Sequence, residues 1–282
     1  MTHIELRGRH AGAVATALLA ALATAVLPVR ESAAQPVDEV VDLELVLAVD
    51  VSWSMDYDEQ VLQRAGYVAA FRHPEVIAAI ESGDWGGIAV TYMEWAGAQS
   101  QQVKVPWRLI DGAAAAHALA DELATTTISR MRRTSISGAL DHSAGLFEGN
   151  GFEGMRQTVD VSGDGPNNMG RMVTRARDEL LAAGVTINGL PIMIKGNNPG
   201  GYFNLRELDI YYEDCVIGGF GAFMITVDDP AQFAEAIRRK LVLEIAAAAP
   251  VAVPAQVQSS APRIDCLIGE RQWQQWQGNR WQ

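Results

Sequence analysis

An acid and two hydroxyls fall at alternate positions in Asp50-Val51-Ser52-Trp53-Ser54, immediately after an aliphatic run. Oxygen-bearing side chains spaced this way fill a core poorly and ligate a hard divalent cation well. Two further segments offer the same chemistry. Thr134 stands just before a helical stretch that begins at Ser135, and Asp164 follows the strand-like run Gln157 to Ser162. Taken alone, Asp50, Ser52 and Ser54 serve equally well as caps of the next helix, and Thr134 as another N-cap. Asp164 in Gly-Asp-Gly-Pro serves as a turn residue. The coincidence of all three segments at element ends favours a metal site. Hydroxyls and water would leave the ion's charge poorly neutralised and receptive to an incoming carboxylate. Such ligation suits Mg²⁺, with Mn²⁺ or Ca²⁺ as substitutes.

The elements that must position these residues are legible from their patterning. Leu43 to Val49 is continuously aliphatic, as a central parallel strand covered on both faces requires. A helical stretch from Asp56 to Ile80 is interrupted at Pro74. Ile88 to Trp95 and Gln101 to Ile110 read as an antiparallel pair, with Pro106 suited to a sheet edge. Helices are expected over 112–126 and 135–147, a strand over 157–162, and a helix over 171–183 that stops at Gly184. A strand over 185–194, a Lys195–Gly201 loop, a short helix near 205–213, a strand over 221–227 and a helix over 230–246 follow. This alternation predicts an α/β fold: a doubly wound, mostly parallel six-stranded sheet with one antiparallel edge strand and helices on both faces. In such sheets the binding crevice lies at the carboxyl ends of the strands. Asp50 and Asp164 therefore meet if the first and fourth strands are neighbours.

The combination resembles the von Willebrand factor type A (VWA) domain and its metal-ion-dependent adhesion site (MIDAS). The matching features are Asp-x-Ser-x-Ser at Asp50, Ser52 and Ser54, the helix-start context from Thr134 to Ala139, and the strand-ending Asp164. The likeness spans about residues 42 to 246. Within that group, Val-Ser-Gly-Asp-Gly-Pro-Asn-Asn and the segment Asp214 to Gly219 look like a bacterial exported branch, the DUF1194 family. The resemblance implies that Ser52 and Ser54 ligate the ion directly. It implies that Thr134 does so directly or through water, and that Asp50 and Asp164 act largely through bridging waters. It also implies an open position for an Asp or Glu carboxylate of a protein partner. One departure concerns the rim: glycine is common before the family's Thr, whereas Arg132 and Arg133 precede it here. Trp53, between the two serines, is either an aromatic anchor on the rim or a local packing residue.

Bulk properties bound the function. The 282-residue chain carries 22 Lys+Arg against 34 Asp+Glu, a formal net charge of −12, which disfavours nucleic acid and anionic membrane surfaces. A basic start at Arg7 and Arg9, an apolar run from Ala11 to Leu27 and Ser32-Ala33-Ala34 read as an export signal over residues 1–34, cleaved after Ala34. No other segment is long and apolar enough to span a bilayer, so the expected product is periplasmic or secreted. The expected organisation continues with a VWA-like domain over 35–246, an Ala/Pro linker over 247–262 and a Trp-rich tail over 263–282. Cys215 and Cys266, an even pair in an exported chain, are expected to form a disulfide.

Enzymatic signals are weak. There is no Gly-x-Ser-x-Gly elbow, and His73, His117 and His142 lack metal-ligand spacing. The expectation is a non-enzymatic binding module. The alternatives are a hydrolase using water on the same ion, with His142 or Glu94 as base, and a structural domain with a vestigial site. Trp85, Trp95 and Trp107 read as strand packing, and Arg238-Arg239-Lys240 as the positive end of the last helix.

Overall fold

The structure is a computed structural model and describes residues 38–194, 205–246 and 261–279. The proposed leader, the Lys195–Gly201 loop, most of the linker and Trp281 lie outside the described residues. The chain enters through β1 (Glu39–Val41), turns at Asp42 and runs into β2 (Leu43–Asp50), buried along its whole length. Next come α1 (Tyr57–Phe71) and α2 (Pro74–Glu81). Pro74 divides them because it lacks an N–H to continue the first helix yet suits the first turn of a new one.

The expected antiparallel pair is β3 (Ile88–Trp95) and β4 (Gln101–Ile110), and β4 with its Pro106 is the sheet edge. The order continues with α3 (Ala113–Thr125), α4 (Ile136–Leu146), β5 (Phe152–Gly154), β6 (Gln157–Gly163), α5 (Val173–Ala182) and β7 (Thr186–Pro191). A short α6 (Leu208–Tyr211) runs directly into a π-helical turn, Tyr212–Val216. The last elements are α7 (Phe233–Ala246) and α8 (Ile268–Asn279).

Among the described residues the main sheet has five hydrogen-bonded strands in the order β4-β3-β2-β6-β7, all parallel except the β3–β4 pair. The first long strand, β2, therefore lies beside β6, the fourth. The sixth strand expected over 221–227 lies beside β7 only through isolated parallel bridges, Gly189 to Met224 and Ile192 to Val227. Between these bridges the ladder lacks a donor at Pro191, which has no N–H, and before them the Phe223 amide donates to the Asn188 side chain. One pairing had no sequence signal: the three-residue β1 pairs in parallel with the equally short β5.

Strand alternation divides the core. Leu43, Leu45, Leu47 and Val49 face a cluster with Tyr67 and Phe71 of α1, Leu119 and Leu123 of α3, and Phe233, Ile237 and Leu241 of α7. Val46 and Ala48 face the opposite cluster, with Leu140 of α4, Leu180 of α5 and the pair Tyr211 and Tyr212. Full burial of each large apolar side chain is worth about 1.5–3 kcal/mol.

Two readings need correction. Arg238, Arg239 and Lys240 sit in the middle of α7, not at its end. Arg238 pairs with Glu75 and Glu235, and Lys240 is fully buried against Asp160 and Glu244, so neighbouring carboxylates, not the helix terminus, balance these charges. Trp85 is 59% exposed in the loop before β3 and is not strand packing. Trp95 is fully buried, and Trp107 on the edge strand donates its indole N–H to Leu146 O at 2.9 Å.

Candidate functional site: a hydroxyl and carboxylate cluster at the strand ends

Asp50 is the last residue of β2 and is completely buried. Its Oδ1 accepts the Ser52 amide at 2.7 Å, which curls the loop back over the strand end. The Ser52 and Ser54 hydroxyl oxygens lie 2.7 Å apart, and Ser54 Oγ donates to Asp164 Oδ1 at 2.6 Å. Asp164 directly follows β6, so the adjacency of β2 and β6 brings the two loops together.

Thr134 arrives from a third direction. Met131 N donates to Val51 O at 3.1 Å, and Ser135 N donates to Ala96 O at 2.7 Å, so its segment is stitched to both neighbouring loops. Asn168 grips Thr134 on both sides: its Oδ1 accepts the Thr134 amide at 3.1 Å, and its own amide donates to Thr134 O at 2.9 Å. Arg133, one residue earlier, holds φ at +78°, the left-handed region that a non-glycine residue seldom occupies.

The caps of the adjacent helices are other residues. α1 is capped by Asp56, which accepts the Glu59 amide while Glu59 accepts the Asp56 amide, a complete capping box. α4 is capped by Ser135, whose hydroxyl accepts the Gly138 amide at 3.0 Å. Asp50, Ser52, Ser54 and Thr134 are therefore not needed as helix caps, and capping does not account for their gathering.

The electrostatics of the cluster are those of an unbalanced anion pair. Burial raises the Asp50 carboxyl well above its ordinary value, and the charge of Asp164 raises it further. Hydrogen bonds from Ser52 and the Asp164 backbone pull the other way. Asp50 Oδ2 is buried and has no hydrogen-bond partner among the described residues. Gly163 keeps the strand end open: a Cβ there would lie 2.9 Å from Asp50 Oδ2, 3.0 Å from the Tyr212 hydroxyl and 3.3 Å from the Trp95 ring. Tyr212 itself is fully buried beneath the loops. Among the described residues no group of three or more His, Cys, Asp or Glu could hold a metal ion. The donor set offered is two carboxylates and three hydroxyls, all hard oxygen, which fits Mg²⁺-like ions rather than nitrogen- or sulfur-seeking ones. An orphaned buried carboxylate oxygen beside a second carboxylate is an environment that a cation would relieve.

The three rim residues surround this cluster. Trp53 is 51% exposed and carries the Arg132 guanidinium 4.2 Å from its ring centroid, with Arg130 at 5.9 Å. It packs under an arginine, not into the core. The Arg133 guanidinium stacks on Trp273 of α8. Ser52, Ser54 and Thr134 open into a pocket of about 830 Å³ whose far wall includes Trp273 and Trp276.

Two further contributors stand behind the cluster: Asn167, to which the sequence assigns no role, and the Cys215–Cys266 disulfide, which the sequence predicts. Asn167 is fully buried: its Oδ1 accepts the Ser137 amide at 3.0 Å, its Nδ2 donates to Arg171 O and to Glu270 Oε1, and its amide donates to the Tyr211 hydroxyl. The Cys215–Cys266 disulfide, with Cα atoms 5.5 Å apart, ties the π-helical turn to the segment leading into α8. The two bases considered for hydrolysis are elsewhere. Both Glu94 oxygens are engaged, by Arg64, Lys104 and the Ser129 amide, and His142 is exposed two turns along α4.

A family model described as "Protein of unknown function (DUF1194)" matches residues 39–249. No curated protein matches the chain. Among solved structures, proximal thread matrix protein 1 from the mussel byssus is similar at 17% identity and TM-score 0.52, over 74% of this chain and 49% of that one. A further structure of that mussel protein has a zinc-occupied MIDAS motif. A von Willebrand factor type A structure from Catenulispora acidiphila is similar at 15% identity and TM-score 0.52, over 73% and 43%. The pilus adhesin SpaC from Lactobacillus rhamnosus GG is similar at 11% identity and TM-score 0.51, over 74% and 31%. The chain thus spans about half or less of the length of these proteins, and at such identities the likeness is one of fold. With the VWA fold in place and the family model covering nearly the whole of the sheet and its helices, the chain belongs to the DUF1194 family.

Proposed function

We propose that this protein is an exported, divalent-metal-dependent binding module that grips a carboxylate of a protein partner through a MIDAS-like site. What supports the reading is the hydrogen-bonded chain of Ser52, Ser54 and Asp164 above the buried Asp50, with Thr134 lining the same pocket and helix capping assigned to other residues. Ser52, Ser54 and Thr134 would present hydroxyls to the ion, and Asp50 and Asp164 would supply the negative charge behind them. A bound Mg²⁺, or Mn²⁺ or Ca²⁺ in its place, would supply the positive charge that holds the partner's Asp or Glu. The zinc-occupied motif of the mussel protein supports a divalent ion in this fold, and the pilus adhesin supports an adhesive use of it, both by analogy of fold alone.

The engagement of Glu94 and the exposure of His142 favour binding over hydrolysis. The Cys215–Cys266 disulfide supports an oxidising compartment, periplasmic or extracellular, in keeping with a leader over residues 1–34. Among the described residues no helix is long and apolar enough to cross a membrane.

Calorimetric titration of the purified, chelator-stripped protein with MgCl₂ and MnCl₂ tests the metal step. Saturable uptake of one ion, abolished in Asp50→Ala, is expected. No uptake of either ion by the native chain would sink the reading.

A further inference from the structure

We propose that the pocket between the Asp50 loop and α8 is a specificity subsite. It would receive an apolar side chain next to the carboxylate of an extended acidic peptide, with the C-terminal helix as its outer wall. This rests on the metal-bridged reading above.

A lone carboxylate needs little room, yet the space beside Ser52, Ser54 and Thr134 measures about 830 Å³, within the range of pockets that enclose whole ligands, about 300–1,000 Å³. Its walls are aromatic. Trp53 stands on the Asp50 loop, and Trp273 and Trp276 on α8 lie with ring centroids 4.7 Å apart. Large rigid rings around a polar floor are the surfaces on which apolar anchors gain most.

The charge at the rim selects an anion. Arg130, Arg132 and Arg133 gather here in a chain of net charge −12. Among the described residues none of the three is in an ion pair, whereas Arg64, Arg171, Arg238 and Arg263 each pair with a carboxylate. The Arg132 and Arg133 guanidinium groups are held on Trp53 and Trp273. Stacking fixes a guanidinium while its in-plane N–H groups remain suited to a carboxylate. A peptide with an acidic residue for the ion and an apolar neighbour for the tryptophans matches both features.

The outer wall is built into the fold. Besides the disulfide, Gly269 packs against the Asn167 backbone, where any side chain would collide, and Glu270 accepts from Asn167. The helix is thereby fixed to the same loop that carries Asp164.

The test uses the oxidised full chain in saturating MgCl₂ and three fluorescein-labelled peptides, Gly-Asp-Phe-Gly, Gly-Asp-Gly-Gly and Gly-Asn-Phe-Gly, read by anisotropy. The Asp-Phe peptide is expected to bind at least tenfold more tightly than the Asp-Gly peptide. That advantage should fall below threefold in Trp273→Ala/Trp276→Ala and in Trp53→Ala, the last an exposed position on the opposite wall whose replacement spares the core. Equal binding of the Asp-Phe and Asp-Gly peptides overturns the subsite, as does no Asp-Phe binding at 1 mM or full preference retained in both variants. The metal reading fails separately: an Asp-Phe preference that survives EDTA and Asp50→Ala upholds the subsite and removes the ion. Metal-dependent Asp-Gly binding with no gain from Phe does the reverse.

Discussion

Asn167 Nδ2 donates to Glu270 Oε1 at 2.7 Å, joining the loop that carries Asp164 to the C-terminal helix. The same side chain accepts the Ser137 amide at the start of α4 and donates to Arg171 O before α5. One buried amide thus holds the ends of three helices and one face of the candidate site.

Asn167→Ala should therefore loosen α8 and the Thr134 loop together. Leaving the Ser137 amide and Glu270 without their partner should cost about 1–3 kcal/mol. Hydrogen exchange is the direct readout, with faster exchange expected at residues 134–138 and 268–276 while β2 and β3 remain protected. Unchanged exchange at both segments would show that the amide couples nothing.

Replacement of Asp50 should separate stability from binding. A buried carboxylate beside Asp164, with one oxygen unpartnered, destabilises the metal-free fold. Asp50→Asn removes that charge with little change in shape. The metal-free variant should melt higher than the metal-free native protein, and only the native protein should gain stability as MgCl₂ is added, following the logarithm of the free ion concentration. A lower melting temperature without metal would contradict this account.

Opening the Cys215–Cys266 bond should cost stability chiefly through the unfolded chain. The bond closes a loop with a sequence separation of 51, for which the chain-entropy model gives about 4 kcal/mol. Cys215→Ser/Cys266→Ser should lower the urea midpoint, with α8 losing protection before the sheet does. Coincident loss of α8 and sheet would mean that the helix is held by its packing alone.

The buried group Lys240, Asp160 and Glu244 predicts an acid-side optimum. Lys240 Nζ lies 2.7 Å from Asp160 Oδ1 and also pairs with Glu244. Burial, then the charge of Asp160, pushes Glu244 up to about 7 from an ordinary 4.5, and burial raises Asp160 too. Between those values the folded protein keeps a proton that the unfolded chain releases. This contribution is complete below about pH 4.5 and declines as pH rises to about 7, by up to about 1.4 kcal/mol per pH unit. The difference in unfolding free energy between native protein and Glu244→Gln, measured by urea from pH 4.5 to 7.5, should shrink with rising pH. A difference that grows instead has the wrong sign for this mechanism.

What could be read from sequence was what local physics writes locally. The unbroken aliphatic run of β2, Pro74 between two helices and Pro106 on the edge strand each announce an element by a property of the residue itself. Asp50, Ser52 and Ser54 were visible as a group because two-residue spacing after a strand is unusual for oxygen side chains. Other features depend on partners far along the chain. Asn167 looks like any loop asparagine until Ser137 and Glu270 are seen beside it. The tail tryptophans gain meaning only once the disulfide brings α8 to the pocket. Three-residue strands such as β1 and β5 are too short to show a period. Lys240 resembled a helix-end charge because nothing near it in sequence reveals Asp160 on β6.

The direction of β2 has a practical corollary. From Leu43 to Asp50 the chain climbs in one direction, about 26 Å at strand rise. The start of β2, just after the Asp42 turn, therefore lies at the pole of the domain remote from the tryptophan-lined mouth. Coupling the protein to a bead or sensor chip by its amino-terminal side would leave that mouth pointing toward the bulk liquid. Coupling near α8 would bury it against the support.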